Sequence, residues 1–248
     1  MDVYPSASEP VPEPPPSLHL RLPLYPLRLT YVLIAVNILA FFITRALGSL
    51  AYYLGGLSPA AVLHYGQLWR LVTSGFMHAD VSHLGFNMYA LYLFGRQVER
   101  YFGPRRFAMI YGGALLGSSS IVVLLSELKG STVGASGAVL GLLGALMIYV
   151  WRYQEGIAGA RAHLGNLLVI ALVNLGIGLL PRVSLWGHLG GILAGVGVGW
   201  ATLPHYEPVY SPTLHLKIAA RRKAEWGGLL ITVGVCVLLL LAAGWLRR

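Results

Sequence analysis

Seven stretches of this chain are apolar for long enough to cross a lipid bilayer, and they leave room for little else. A span needs about 20 predominantly apolar residues. The candidates lie at roughly 30–48, 83–101, 106–126, 136–152, 163–181, 184–203 and 227–246. Inside a bilayer every backbone polar group must be satisfied by the chain itself, so runs of this length predict helices. Hydrophobic residues make up 56% of the chain and charged residues 11%, against about 25% charged in a soluble domain. Such a chain cannot cover a water-facing surface. The expected fold class is therefore an all-α polytopic membrane protein: a six-helix bundle plus one C-terminal transmembrane helix.

The rest of the sequence divides around those spans. Residues 1–28 are rich in proline, which forbids regular helix or sheet, and predict a disordered cytoplasmic tail. They lack the basic start, apolar core and small-residue site of a cleaved signal, leaving the first span as the targeting signal. Residues 29–203 form the six-span core. Within it, 49–82 is too broken to span but holds Leu, Trp and Tyr, which predicts a structured loop lying in the interface. Residues 204–226 read as a basic cytoplasmic linker, and 227–248 as the seventh span. With the N-terminus inside, twelve of the 18 Lys and Arg fall on the inner side and six on the outer, as the positive-inside bias requires. Topology thus accounts for the net charge of +9 without a nucleic-acid partner. The single cysteine, Cys236, sits in an apolar run, so there is no disulfide framework and no cysteine-based metal site.

Polar side chains within spans are functional candidates by default. Four stand out: His83 and Asn87 in the second span, Ser136 in the fourth and His188 in the sixth. From Ser136 to Arg152, which with Trp151 marks the inner interface, is about 24 Å of helix at about 1.5 Å per residue. His188 stands the same distance from Pro204, and His83 one residue more from Arg100. The four polar groups therefore share one layer, toward the outer side. Glycines bring them together laterally. Gly137, Gly141 and Gly144 in the fourth span, and Gly187, Gly191 and Gly195 in the sixth, form stripes that let two membrane helices approach closely. A crossing of these stripes puts the imidazole of His188 beside the hydroxyl of Ser136.

A serine hydroxyl is a poor nucleophile until a base takes its proton, and a histidine suits that task at neutral pH. None of the nine acidic residues falls inside a span at this depth, so a serine enzyme here is a Ser–His dyad without a carboxylate. Ser136 opens its helix and offers an unpaired backbone N–H at the positive end of the dipole. His83 and Asn87, four residues apart, share a helix face and can add donors to an oxyanion site, each worth about 3 kcal/mol of barrier.

With these residues assembled, the chain resembles the rhomboid intramembrane serine proteases over about residues 30–203. GASG at 134–137, with Gly134 and Gly137, resembles the family's G-x-S-G, which implies Ser136 as nucleophile. GHLGGILAG at 187–195, with Gly191 and Gly195, resembles the sixth-helix motif and implies His188 as general base. HLGFN at 83–87 resembles the H-x-x-x-N pair that assists the oxyanion. LWRLVTSGFMH resembles the first-loop signature, with Trp69 and Arg70 structural. VERYFGPRRF resembles the turn after the second helix, with Glu99 and Gly103 structural. One position departs from some members: Leu140 stands where they carry an aromatic under the histidine. The resemblance implies a rhomboid-type bundle without a cofactor or metal. It implies hydrolysis of peptide bonds in or near the transmembrane segment of single-pass proteins, with small residues at the cut and lateral access near the second and fifth helices. The N-terminus lacks transit-peptide character, which points to a prokaryotic plasma membrane with the site toward the outer side.

Two rival classes are weighed against this reading. A catalytically inactive rhomboid-like protein would bind transmembrane helices without cutting them, but such proteins usually lack the serine or the histidine. A transporter needs a polar path through the bilayer, whereas here the polar layer lies on one side only. Asn37, in the first span, has no role in any of these readings.

Overall fold

Each long apolar run is a helix in the computed structural model, which describes residues 24–209, 215–218 and 222–247. Most of the proline-rich tail, and parts of the basic linker, lie outside those residues. The first span is α1 (Leu29–Leu47). The second is built in three pieces: α5 (Val81–Ala90), a wide π-type turn over Leu91–Gly95, and α6 (Arg96–Phe102). The remaining spans are α7 (Pro104–Leu125), α8 (Ser136–Arg152), α9 (Ala160–Ile177), α10 (Leu185–Ala201) and α11 (Arg222–Leu246). α1, α7, α9 and α11 are each long and apolar enough to cross a membrane, and α8 and α10 are shorter apolar helices of 17 residues.

Helix ends follow local chemistry. Gly103 (φ 83°) takes a left-handed turn that ends α6, and Pro104 opens α7 at the position where a missing N–H costs nothing. Asp80 caps α5 by accepting from the His83 N–H at 2.8 Å, and Ser184 caps α10 by accepting from Gly187 N–H at 3.0 Å. Asp80 also accepts from the Ser82 hydroxyl. That bond, with the one from His83, holds its carboxyl below the usual carboxylate range. α1 is capped from a distance. Glu99, fully buried in α6, accepts from the N–H groups of Arg28, Leu29 and Thr30 and from the Thr30 hydroxyl, at 2.7–2.9 Å.

In lipid the helices gain nothing by hiding apolar surface from one another, so close packing must hold them together. The centre is α10 wedged between α7 and α8, and small residues set the spacing. A Cβ on Gly191 would lie 2.1 Å from the Gly137 carbonyl oxygen, and one on Gly195 would lie 2.0 Å from that of Gly141. On the other side of α10, Gly117 of α7 meets Ala194 in the same way. Trp151 and Trp200 meet at 5.9 Å between ring centroids, so α8 and α10 end at the same level. α1, α9 and α11 surround this centre and present large apolar side chains outward, such as Phe42, Leu172 and Leu238. α11 packs on α7 and α10. Asn37 is fully buried in α1, where its amide donates to the Leu33 carbonyl.

Two regions differ from the sequence reading. Within the linker, β1 (Tyr206–Val209) and β2 (His215–Ile218) form an antiparallel hairpin, and α11 starts at Arg222 rather than 227. The fifth helix begins three residues earlier than its apolar run and stops at Ile177. The first loop holds α2 (Ser49–Gly55), α3 (Pro59–Tyr65) and α4 (Arg70–Thr73). Arg70 is its hub: buried, it donates to the Gln67 side chain and to the carbonyls of Gly56 and Tyr53 at 2.5–2.6 Å. The exposed Trp69 donates its indole N–H to the Leu54 carbonyl at 3.1 Å.

Candidate active site

Ser136 is the first residue of α8, so its backbone N–H has no partner within the helix. Three loop contacts fix the chain just before it. Leu57 and Thr132 exchange backbone hydrogen bonds at 3.0 and 2.9 Å, and Gly134 N–H donates to the Ser74 carbonyl at 2.9 Å. Gly134 itself is at φ 134°, a conformation that L side chains avoid. It also faces a crowded space: a Cβ there would lie 2.7 Å from the His83 ring and 3.9 Å from the Ser136 Oγ. The glycine thus creates the room in which His83 and Ser136 approach each other.

The glycine crossing of α8 and α10 brings in the histidine. A Cβ on Gly137 would lie 3.3 Å from the Gly187 carbonyl oxygen, so the pair Ser136–Gly137 lies against Gly187–His188. Ser118 of α7 fixes this level by donating to the Gly187 carbonyl at 2.8 Å. His188 is buried, and its Nδ1 lies 2.8 Å from the backbone carbonyl of Asn174 on α9. A carbonyl only accepts, so Nδ1 carries the proton and Nε2 keeps a free lone pair. The sequence held no carboxylate for this task, and a peptide oxygen does it instead. Nothing in the sequence could have singled it out, because every residue carries such an oxygen.

Gly134 lies against the His83 ring and Gly137 against Gly187, so α5 and α10 bring His83 and His188 to the two sides of Ser136. Asn87, one turn along α5, is buried and donates one amide hydrogen to the His83 carbonyl at 2.9 Å, leaving a second. Ser136, His83 and His188 are therefore gathered at one end of the bundle, with Asn87 one turn deeper beside His83. Leu140 is buried in the core one turn below Ser136. Among the described residues there is no group of three or more His, Cys, Asp or Glu side chains that could hold a metal ion.

A third histidine stands beside these two. His78 is fully buried in the first loop, and its ring sits edge-on to His83 at 5.2 Å between centroids. Among the described residues neither ring nitrogen has a hydrogen-bond partner of good geometry. Burial, and secondarily the charge of His83, pushes its pKa down to about 4. His78 is therefore a neutral ring at pH 7 that packs behind His83.

Comparison with known proteins agrees with this architecture. The rhomboid domain model matches residues 65–205, more than half of the chain. RHOMBOID-like protein 6, mitochondrial, of Arabidopsis thaliana is 37% identical over 150 residues, covering 60% of this chain and 48% of that protein. Rhomboid protease GluP of Bacillus subtilis is 34% identical over 173 residues, covering 67% of this chain and 33% of that protein. Inactive RHOMBOID-like protein 8 of Arabidopsis thaliana is 30% identical over 143 residues, covering 57% of this chain and 40% of that protein. The chain thus spans half or less of the length of these relatives. They come from a plant and a bacterium, and one is mitochondrial by name, so the likeness does not single out a prokaryotic membrane. The matched region holds the second to sixth spans and every polar residue of the candidate site, and the chain is an integral membrane protein of the rhomboid family.

Proposed function

We propose that this protein is an intramembrane serine endopeptidase in which Ser136 and His188 form a catalytic dyad. The observation that carries the reading is the His188–Asn174 hydrogen bond. It leaves a basic Nε2 on a buried imidazole alongside a serine that opens a helix. In the proposed reaction Nε2 takes the Ser136 proton as Oγ attacks the scissile carbonyl. The imidazolium then returns that proton to the leaving amine, and an acyl-enzyme remains. Water, deprotonated by the same nitrogen, hydrolyses the ester and restores the serine. The negative charge on the tetrahedral oxygen is met by the Ser136 N–H at the α8 N-terminus, by a His83 N–H and by the second amide hydrogen of Asn87. No cofactor takes part.

The substrates in this reading are single-pass membrane proteins, cut in or near the membrane. The site faces the outer side, with the N-terminus inside. The rival reading, an inactive family member that grips transmembrane helices, has support in the relative named as inactive. Against it stands the presence of both reacting side chains here. A fluorophosphonate serine probe on the purified protein separates the two, alongside Ser136→Ala and His188→Ala and with cleavage of a generic single-pass substrate. Labelling and cleavage in the parent protein should fall at least about 10³-fold in both variants. A folded parent that neither labels nor cuts would leave the helix-binding reading.

A further inference from the structure

We propose that the far end of the second span holds a binding site for the phosphate of an anionic phospholipid. A pocket of about 250 Å³ lies there, lined by Tyr92, Leu93, Arg96, Gln97, Arg100 and Tyr101. It is about 20 Å along the helix from His83 at about 1.5 Å per residue, toward the opposite face of the bilayer from Ser136. It brings two guanidinium groups together and contains no carboxylate. The nearest acid in sequence, Glu99, is turned away, with its oxygens committed to the start of α1. Arg96 is half-buried, lies over the Tyr92 ring at 4.6 Å and donates from Nη1 to the Tyr92 hydroxyl. Its Nε is shielded and unpartnered. This cation has been partly taken out of water, and among the described residues it has no counter-ion; an anion from outside completes the arrangement. A phosphate also finds a donor in the Tyr92 hydroxyl hydrogen and a second charge in Arg100.

The surroundings favour a lipid over a free anion. Phe86, Tyr89 and Leu93 are exposed at spacings of three and four, so they form one apolar stripe that runs from the pocket toward the bilayer centre. Leu93 belongs to both the pocket and the stripe. An acyl chain lies along the stripe while the headgroup phosphate sits between the arginines. The site is independent of whether Ser136 is a nucleophile.

The test is native mass spectrometry of the full chain in neutral detergent, titrated with phosphatidylglycerol and, separately, phosphatidylcholine. Arg96→Gln, Arg100→Gln and the double variant are run in parallel. The parent should bind phosphatidylglycerol in preference to phosphatidylcholine. The double variant should weaken phosphatidylglycerol binding about thirtyfold, equivalent to about 1 kcal/mol for each arginine near the membrane surface. Each single variant should weaken it about fivefold and carries the test if the double variant does not fold. Inorganic phosphate in excess should not displace the lipid. Unchanged lipid preference in the folded variants would overturn the proposal. So would phosphate binding as tightly as phosphatidylglycerol, which would mark a free-anion site.

Discussion

α8 and α9 follow one another in the chain, have nearly equal length and are both apolar, yet they live in different surroundings. Twelve of the 17 residues of α8 are buried, against three of the 18 in α9. The helix carrying Ser136 is clamped by backbone-to-backbone contact with α10, and no side chain there can yield. The helix that supplies the hydrogen-bond partner of His188 faces outward along most of its surface. In the proposed dyad, then, the nucleophile is held rigidly and the tautomer of the base is set by a thinly packed neighbour.

The sharpest way to break this contrast is to add bulk on each side of it. Gly195→Val would drive side-chain carbon into the Gly141 backbone. It should cost about 3 kcal/mol or more at this overpacked contact, or prevent folding. Gly176→Ala on α9, where a Cβ meets nothing within 4 Å, should leave thermal unfolding in detergent unchanged or slightly raised. Equal damage from both would refute the contrast. Glu99→Gln comes next. It places amide hydrogens against the N–H groups that the carboxylate now accepts from, and should cost about 2–3 kcal/mol with loosening of α1.

His78 extends the comparison to the loop. An imidazole whose pKa lies near 4 when folded, and at the ordinary 6.5 when unfolded, binds protons more readily in the unfolded chain. Its contribution to stability is intact above pH 6.5 and drains away as pH falls toward 4, on the order of 3 kcal/mol. Unfolding followed over that interval should be flatter in His78→Leu than in the parent. The smallest effect concerns α9 itself. Asn174→Ala keeps the peptide carbonyl, so substrate cleavage should stay within a few-fold of the parent. A loss comparable to that of His188→Ala would mean that the side chain, not the backbone, holds the imidazole.

Periodicity and spacing carried a large part of this architecture. The apolar runs locate the long helices to within a few residues, because a bilayer leaves a chain few alternatives. The common level of Ser136, His83 and His188 follows from counting helical rise, and the glycine spacing anticipates the crossing of α8 and α10. What escaped were partners chosen by the tertiary fold. Glu99 caps a helix some 70 residues earlier in the chain. The Asn174 carbonyl has no signature of its own, and the hairpin of β1 and β2 lies in a stretch whose charge suggested only a tether. Nothing in the sequence marks the burial that puts His78 behind His83.

The wide turn at Leu91–Gly95 also sets a register. α5 carries His83 and Asn87 on one side of it, and α6 carries Glu99 on the other. Two faces on one uninterrupted helix would be locked at a fixed angle, but a π-type turn inserts an extra residue and lets each end point independently. Removing a single residue there would leave the apolar length nearly the same. It would swing the His83–Asn87 face by about 100° relative to the Glu99 anchor. The second span thus works as a geared shaft, with one end fixed to α1 and the other aimed at Ser136.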